Sequence, residues 1–501
     1  MSAGPLLIRA DASIPIGTGH VMRCLALAQA WQDASGTAAF AMCETTAAIA
    51  GKLGAESCEC ISLTAAAGSF GDSEETIACA RRLQSTWVVV DGYQFGAAFQ
   101  KSLKAAGLKV LFLDDYGHAT DYSADVVLNQ NVSASEALYS NREAGTRILL
   151  GPQYALLRRE FTKWRNWRRE VSPECRKLLV MMGGSDPESL TVRVIDALKT
   201  ASLRNLETTI VVGGSNPNFE KLDQAAREQD RSIRVLKDVS NTAELMAAAD
   251  IAVSAAGSTC WELCMMGLPA LLIDVAGNQT QVAEELARRG SAIHVGDRSV
   301  TAKQLSEGLV SLAGPEALRR SLSEKSRELV DGKGAARIVT VLRGDERLRL
   351  RHANPDDRRM LWEWANDADV RAASFSTAAI PWDAHVQWFS NKLEDKTSLI
   401  FVAEDEHGTP IGQIRFNMNG REAEVNISLA KEQRGRGFAV PAIEAAVRAL
   451  FAEAGCDVVH AFVKPENIAS TKAFQKAGFV LTGSKTVRGS LALDFVCKRA
   501  E

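Results

Sequence analysis

The sequence predicts an α/β protein: two successive domains built on parallel sheets, then a smaller α+β domain. Three observations predict it. Short apolar runs alternate with helix-like stretches from Leu6 to about Phe161. The alternation restarts after the basic stretch Arg158–Arg169 and Pro173. Beyond about Glu346 it gives way to hairpin-joined strands behind two early helices. A prior of about 150 residues per domain agrees with three domains in 501 residues. The expected boundaries are 1–165, 166–345 and 346–501.

In the first segment the apolar runs are Leu6–Arg9, Ala38–Met42, Trp87–Asp91, Val110–Asp114 and Asp125–Leu128. Strands separated by helices pair in parallel and are covered on both faces. Such sheets bind ligands at the carboxyl ends of their strands. Asp91-Gly92-Tyr93, Asp114-Asp115 and the loop after Arg9 should therefore face one crevice. In the second segment the runs are Lys177–Met182, Thr208–Val212, Ile233–Leu236, Ile251–Ser254 and Ala270–Ile273, with Ala335–Arg343 a closing helix. The third opens with Leu348–Arg351 and helical stretches Asp356–Asn366 and Trp382–Lys392. Leu399–Glu404, Pro410–Asn417 and Glu422–Leu429 follow, and Gly408-Thr409 makes the first hairpin turn.

Composition excludes several classes. A net charge of −3 gives no nucleic-acid or anionic-membrane footprint, and no apolar run reaches the length of a membrane span. Met1–Pro5 lacks the basic start of a signal peptide. Ten cysteines without a CxxC pair resemble neither a zinc set nor a disulfide framework. A cytoplasmic protein with free thiols is expected.

The most telling local pattern is Gly17-Thr18-Gly19-His20, between the loop from Ala10 and a helix over His20–Trp31. Glycines let a ligand approach the backbone, and a histidine ordinarily takes up a proton near neutral pH. Alone, the tetrapeptide reads more readily as a tight turn whose histidine caps the helix. Two later loops suit phosphate. Gly183-Gly184-Ser185-Asp186-Pro187 follows a strand, with Asp186 placed as an N-cap. Ser254-Ala255-Ala256-Gly257-Ser258-Thr259 precedes a helix whose first turn carries Glu262, an acceptor for ribose hydroxyls. Backbone amides ahead of a helix favour a diphosphate.

These residues carry a resemblance. The Ser254–Glu262 segment, Gly267-Leu268-Pro269 and Asn278-Gln279 resemble the nucleotide half of two-domain GT-B enzymes acting on UDP-sugars. With the Gly17–His20 loop, Asp91-Gly92-Tyr93, Asp114-Asp115 and Gly151–Arg158, the first two thirds of the chain resemble the UDP-2,4-diacetamido-2,4,6-trideoxy-β-L-altropyranose hydrolases of pseudaminic acid biosynthesis. That resemblance implies inverting, metal-free hydrolysis with His20 as general base or water-orienting group. It implies sugar contacts from Asp11, Gly17, Gly19, Tyr93, Asn278 and Gln279. UDP would be bound by Gly183, Gly184, Ser185, Ala256, Gly257, Ser258, Thr259 and Glu262. For Asp11 a second role is open, satisfying the amides of its own loop. The one DxD, Asp367-Ala368-Asp369, reads as a solvated helix end, in keeping with no metal.

In the third segment Gln433-Arg434-Gly435-Arg436-Gly437-Phe438-Ala439 joins a strand to a helix from about Pro441 to Glu453. With Asn467 to Phe479 it resembles the GNAT acetyltransferases. The resemblance implies acetyl-CoA as co-substrate, held by Arg434, Gly435, Arg436, Gly437, Phe438 and Ala439 and by Asn467, Ser470 and Lys472. One departure stands out: Phe474 occupies the position where many such enzymes carry a thiolate-protonating tyrosine. Strand alternation puts Glu424, Asn426 and Ser428 on one face as acceptor-amine candidates.

The fusion implies two consecutive steps on one UDP-sugar: N-acetylation of UDP-4-amino-4,6-dideoxy-β-L-AltNAc, then hydrolysis of the diacetamido product. UDP-sugars, acetyl-CoA and other enzymes of the same pathway are the expected partners. Two alternatives remain open. One makes the first part a GT-B glycosyltransferase, with Arg158–Arg169 as a membrane-facing surface rather than a solvated interdomain helix. The other makes the GNAT segment a non-catalytic module.

Overall fold

The computed structural model describes the chain apart from residues 1–3, 14–15, 184–185, 187–188, 202, 204, 215, 217, 230–231, 345–347, 406–407 and 500–501. The chain forms two compact units, 3–339 and 340–501, divided within the helix Gly334–Arg343.

The larger unit contains two parallel sheets. The first comprises β1 (Pro5–Ala10), β2 (Thr37–Met42), β3 (Glu59–Ser62), β4 (Trp87–Asp91), β5 (Lys109–Leu113), β6 (Val126–Asn129) and β7 (Arg147–Leu150), in the order β3-β2-β1-β4-β5-β6-β7. The second comprises β8 (Lys177–Met181), β9 (Glu207–Val212), β10 (Ile233–Lys237), β11 (Ile251–Ala255), β12 (Ala270–Asp274) and β13 (Ile293–Asp297), in the order β10-β9-β8-β11-β12-β13. Both are Rossmann-like sheets of the GT-B type. The central strands β1, β4, β8 and β11 are almost wholly buried, which is why they read as continuous apolar runs. Strand order reverses between β1 and β4 and between β8 and β11. A crevice opens at such a switch point, past the carboxyl ends of the strands. The loops after β1, β4, β8 and β11 meet there.

Arg158–Arg169 is not a solvated helix. Only Arg159–Trp164 is helical, as a 3-10 turn, and Phe161 within it is buried. Arg169 donates to the carbonyls of Met246, Ala249 and Met266, so these basic side chains fasten the chain to the second sheet's helices.

The smaller unit is an α+β fold on one mixed sheet: β14 (Arg349–His352), β15 (Ser398–Glu404), β16 (Pro410–Asn419), β17 (Glu422–Leu429), β18 (Val458–Val463), β19 (Val480–Val487) and β20 (Ser490–Lys498). Their order is β14-β15-β16-β17-β18-β20-β19. All pairs are antiparallel except β17 with β18, which pair only over Glu422–Glu424 against Val458–His460. Past Glu424 the two strands part. One face packs the helix Ala439–Glu453 against Ile414, Phe416 and Val425. The other packs the helices Arg358–Ala365 and Trp382–Glu394 against Ile400 and Val402.

Among the described residues no helix is long and apolar enough to cross a membrane. Nor do three or more His, Cys, Asp or Glu side chains gather as a metal site among them.

Candidate active site

A crevice of about 720 Å³ lies between the two sheets of the larger unit, lined by Gly17, Gly19, His20, Tyr93, Gly183, the Ala256–Thr259 loop, Glu262, Asn278 and Gln279. Twelve sequence positions scattered over about 260 residues thus share one space. Gly184 and Ser185 lie outside the described residues.

The histidine loop is built around a turn. Gly17 has φ 81° and donates to Ser13 O at 2.8 Å, a conformation that favours glycine. The helix Gly19–Asp33 then starts without a side-chain cap, so His20 is not a capping residue. Its Nδ1 lies 3.0 Å from Asp91 Oδ1 at the end of β4, an oblique, orienting contact. Its ring meets Tyr93 edge to face, with centroids 4.9 Å apart. Across the crevice the loops almost touch: a Cβ on Gly19 would sit 3.8 Å from Ser258 Oγ.

Arg23, one turn beyond His20 on the same helix, organises this corner. It holds Asp91 through Nε and Nη2, both at 2.7 Å, and Asp115 through Nη1 at 2.7 Å. Burial alone would raise the Asp91 carboxyl, but Arg23 and His20 outweigh it and hold it well below the usual range. Burial and Arg23 oppose each other at Asp115 in the same way, and its pKa also falls. Tyr93 donates to Asp115 Oδ2 at 2.7 Å and accepts from Asn278 Nδ2 at 2.5 Å. Burial and the Asp115 charge push the phenol up, so Tyr93 stays a neutral hydroxyl. A chain of polar contacts therefore runs from the second sheet's Asn278 to His20 through Tyr93, Asp115, Arg23 and Asp91.

Asp11 is corrected by the structure. It is buried, accepting from the amides of Cys43 (2.7 Å) and Glu44 (3.1 Å), from Gln94 Nε2 (3.1 Å), and pairing with Arg9. Its oxygens are taken and it does not line the crevice. It holds its loop, and Asp91 orients the histidine. The sequence placed Asp91 at the crevice but gave it no part in orienting His20, and it gave Arg23 no part at all; the signal for Arg23 was its i+3 spacing from His20 on one helix face.

On the opposite wall, the helix Thr259–Met266 begins at the Ala256–Ser258 loop. The Cys260 and Trp261 amides already donate to Gly257 O (3.0 Å) and Ser258 O (3.2 Å), so the amides that can meet an anion are those ahead of them. Glu262 accepts from Arg158 Nη2 at 2.8 Å, and that nitrogen also lies 2.7 Å from Glu160. Burial raises the Glu262 pKa, with Arg158 opposing and Glu160 adding to the rise. Gln279 binds Val275 N at 3.0 Å and lies beside Gly257, whose added Cβ would stand 3.5 Å from Gln279 Nε2. Asp186 is not the N-cap: Ser189 holds that position before the helix Leu190–Thr200, and Asp186 accepts from the Leu190 and Thr191 amides from outside the helix, while Pro187 lies outside the described residues.

In the smaller unit the Arg434–Ala439 loop turns through Gly435 (φ 75°) and Gly437 (φ 85°) into the helix Ala439–Glu453. Arg434 is not free for phosphate. It pairs with Asp367 at 2.7 Å and Asp369 at 2.9 Å; Asp367 also caps the helix Ala368–Ala373 and Asp369 is exposed in its first turn, so the expected helix end anchors the loop as well. Arg436 is exposed, with a 3.3 Å contact to Gln433. Phe438 packs against the core. Asn467 caps its helix by accepting from Ser470 N, and Lys472 is exposed. Phe474 is buried edge-on to Phe479, so a core ring, not a hydroxyl, occupies that position. Glu424, Asn426 and Ser428 share a face as alternation requires; the first two are exposed and Ser428 is half-buried against Gln413.

Two family models match parts of this chain. An acetyltransferase (GNAT) domain matches residues 347–480, and a glycosyltransferase family 28 C-terminal domain matches residues 178–338. The chain is 21% identical over 495 residues to an uncharacterized protein of Methanocaldococcus jannaschii, covering 95% of this chain and 97% of that one. It is 26% identical over 287 residues to the UDP-2,4-diacetamido-2,4,6-trideoxy-beta-L-altropyranose hydrolase of Campylobacter jejuni, covering 57% of this chain and 97% of that enzyme. Among solved structures, spermidine N-acetyltransferase from Vibrio cholerae in complex with CoA and spermine aligns with 30% of this chain and 95% of that one, at 23% identity and TM-score 0.29. The chain thus joins a GNAT acetyltransferase domain to a nucleotide-sugar-type region distantly related to a UDP-sugar hydrolase.

Proposed function

We propose that the chain is a bifunctional nucleotide-sugar enzyme of pseudaminic acid biosynthesis. The GNAT unit acetylates the 4-amino group of UDP-4-amino-4,6-dideoxy-β-L-AltNAc with acetyl-CoA. The larger unit then hydrolyses UDP from the diacetamido product with inversion and without a metal. The observation that carries the reading is the meeting, in one crevice, of the oriented His20 with the Ser258 loop and the Tyr93–Asn278 bridge. The likeness to the Campylobacter jejuni hydrolase supports it.

UDP is a good leaving group, so catalysis needs an activated water and a stabilised diphosphate. With Asp91 facing Nδ1, the proton belongs on Nδ1 and Nε2 is left as the base. His20 Nε2 takes a proton from water as its oxygen attacks the anomeric carbon. The C1–O bond breaks and its electron pair leaves with UDP. The amides of Gly257, Ser258 and Thr259 stabilise that charge, and Glu262 accepts from ribose hydroxyls. Tyr93, Asn278 and Gln279 contact the sugar, with Gly17 and Gly19 leaving it room.

In the GNAT unit, Gly435, Gly437 and Ala439 present loop and helix amides to the acetyl-CoA pyrophosphate beside Arg436, while Asn467, Ser470 and Lys472 border the thiol end. Glu424, Asn426 or Ser428 receives the amine at the free edge where β17 leaves β18. With Phe474 buried, water protonates the leaving thiolate.

The family 28 match favours a second reading, transfer of the sugar to an acceptor rather than to water. Incubation with the UDP-diacetamido sugar and no acceptor separates the two. Hydrolysis predicts stoichiometric UDP and free sugar; transfer predicts neither.

A further inference from the structure

Arginines withdrawn from water in this chain are saddled by carboxylates or, like Arg169 and Arg319, donate to backbone carbonyls. Arg9 has Asp11 and Asp72, Arg23 has Asp91 and Asp115, and Arg351 has Asp357 and Glu404. Arg415 is treated differently. Among the described residues it makes no ion pair, and its buried Nε has no hydrogen-bond partner. Its guanidinium lies over the Trp388 ring, 5.0 Å from the centroid. Burial lowers its pKa, Glu424 opposes that, and Arg488 adds to the fall. A cation so placed is costly until an anion meets it.

Its position gives that cost a use. On β16 and β17, Gln413 faces Ser428, Arg415 faces Asn426, and Asn417 faces Glu424. Arg415 also pairs with Ile400 on β15, which packs with Leu361 and Phe389 on the face away from the helix Ala439–Glu453. Arg415 therefore stands one strand from Asn426, just where β17 has parted from β18 and its edge is open. An indole on one side of a flat guanidinium leaves the fork's edge for a bidentate anion.

We infer that Arg415, backed by Trp388, is an anion subsite of the acyl acceptor: it takes a phosphate or diphosphate carried by the molecule whose amine is acetylated beside Asn426. The inference rests on the acetyl-transfer reading only in taking this face as the acceptor side. A diphosphate-linked amino sugar fits the pair of requirements. A polyamine does not, because it brings a second cation to a site that already holds an uncompensated one.

The test uses the full-length protein. Arginines are labelled with phenylglyoxal and Arg415 is followed by peptide mass spectrometry, alone and with glucosamine 1-phosphate, UDP-glucosamine, inorganic phosphate or spermidine. Arg415 should label when free and be protected by glucosamine 1-phosphate or UDP-glucosamine, but not by spermidine. Protection by UDP-glucosamine alone would assign the nucleotide diphosphate; protection by both amino sugars would assign a simple phosphate. Arg415 that never labels is sealed from ligand, and Arg415 labelled equally under all conditions binds none; either result overturns the inference. In parallel, Arg415→Met should raise KM for phosphate-bearing amines about tenfold and for glucosamine far less, with Arg415→Lys between. An equal rise for both acceptors also overturns it. Should no amine be acetylated, the acetyl-transfer reading falls while labelling still decides the subsite.

Discussion

Arg23 and Arg415 show how one chain treats two cations, one buried and one half-buried. Arg23 lies between Asp91 and Asp115 with three 2.7 Å contacts, and the corner it organises is complete before substrate arrives. Arg415 rests on Trp388 with no counter-ion among the described residues. The first is a preorganised network whose product is the orientation of His20 and Tyr93. The second is an incomplete one, whose missing member is best supplied by a ligand. The paired cation builds its corner, and the one laid on an indole is left to meet an anion.

The widest separation between the two units comes from the base. His20→Ala should lower UDP release by about 10²–10⁴-fold, the range for losing a general base, and leave acetylation unchanged. Chromatographic assay of UDP beside thiol release from acetyl-CoA measures both. If UDP release survives, the base lies elsewhere.

Next is stability. Arg23→Met strands two buried carboxylates and should cost about 3–5 kcal/mol, whereas Arg415→Met removes an uncompensated cation and should be neutral or stabilising by about 1 kcal/mol. Thermal denaturation of both variants compares them directly. Equal losses would erase the contrast.

The same contrast has a pH signature. Asp91 and Asp115 have folded pKa values below the ordinary aspartate value of about 3.9. The unfolded chain thus binds more protons there, so stability rises with pH through that window. Their contribution is present above about pH 5 and is lost as pH falls towards the folded values. Arg23→Met should flatten this acid limb and Arg415→Met should leave it unaltered.

The smallest expected effect is Tyr93→Phe, which removes the hydroxyl between Asp115 and Asn278. A loss of about 1 kcal/mol in stability and about tenfold in UDP release is expected, with acetylation constant.

Much of this was legible in the sequence, for identifiable reasons. Fully buried strands such as Trp87–Asp91 announce themselves as apolar runs, and Glu422–Leu429 shows the alternation of a half-buried one. Three strands of the larger unit were not anticipated: Glu59–Ser62, Arg147–Leu150 and Ile293–Asp297. Each is an edge strand, short and partly exposed, so its residues carry no continuous apolar signature. At the site, glycine and histidine spacing marked the loops, and those loops do share a crevice. Partner choice was not legible. Asp11 and Asp91 are both aspartates beside strand ends, and only the fold gives one to backbone amides and the other to His20. Arg434 and Arg436 read as equals in one loop until Asp367 and Asp369 claim the first.

Acetylation and then hydrolysis of the same UDP-sugar by one chain is the proposed function. Its most direct test is incubation with UDP-4-amino-4,6-dideoxy-β-L-AltNAc, with and without acetyl-CoA, followed by mass spectrometry. The predicted result is UDP plus the free diacetamido sugar when acetyl-CoA is present. An amino sugar returned unacetylated, or an acetylated UDP-sugar that persists without releasing UDP, would contradict it.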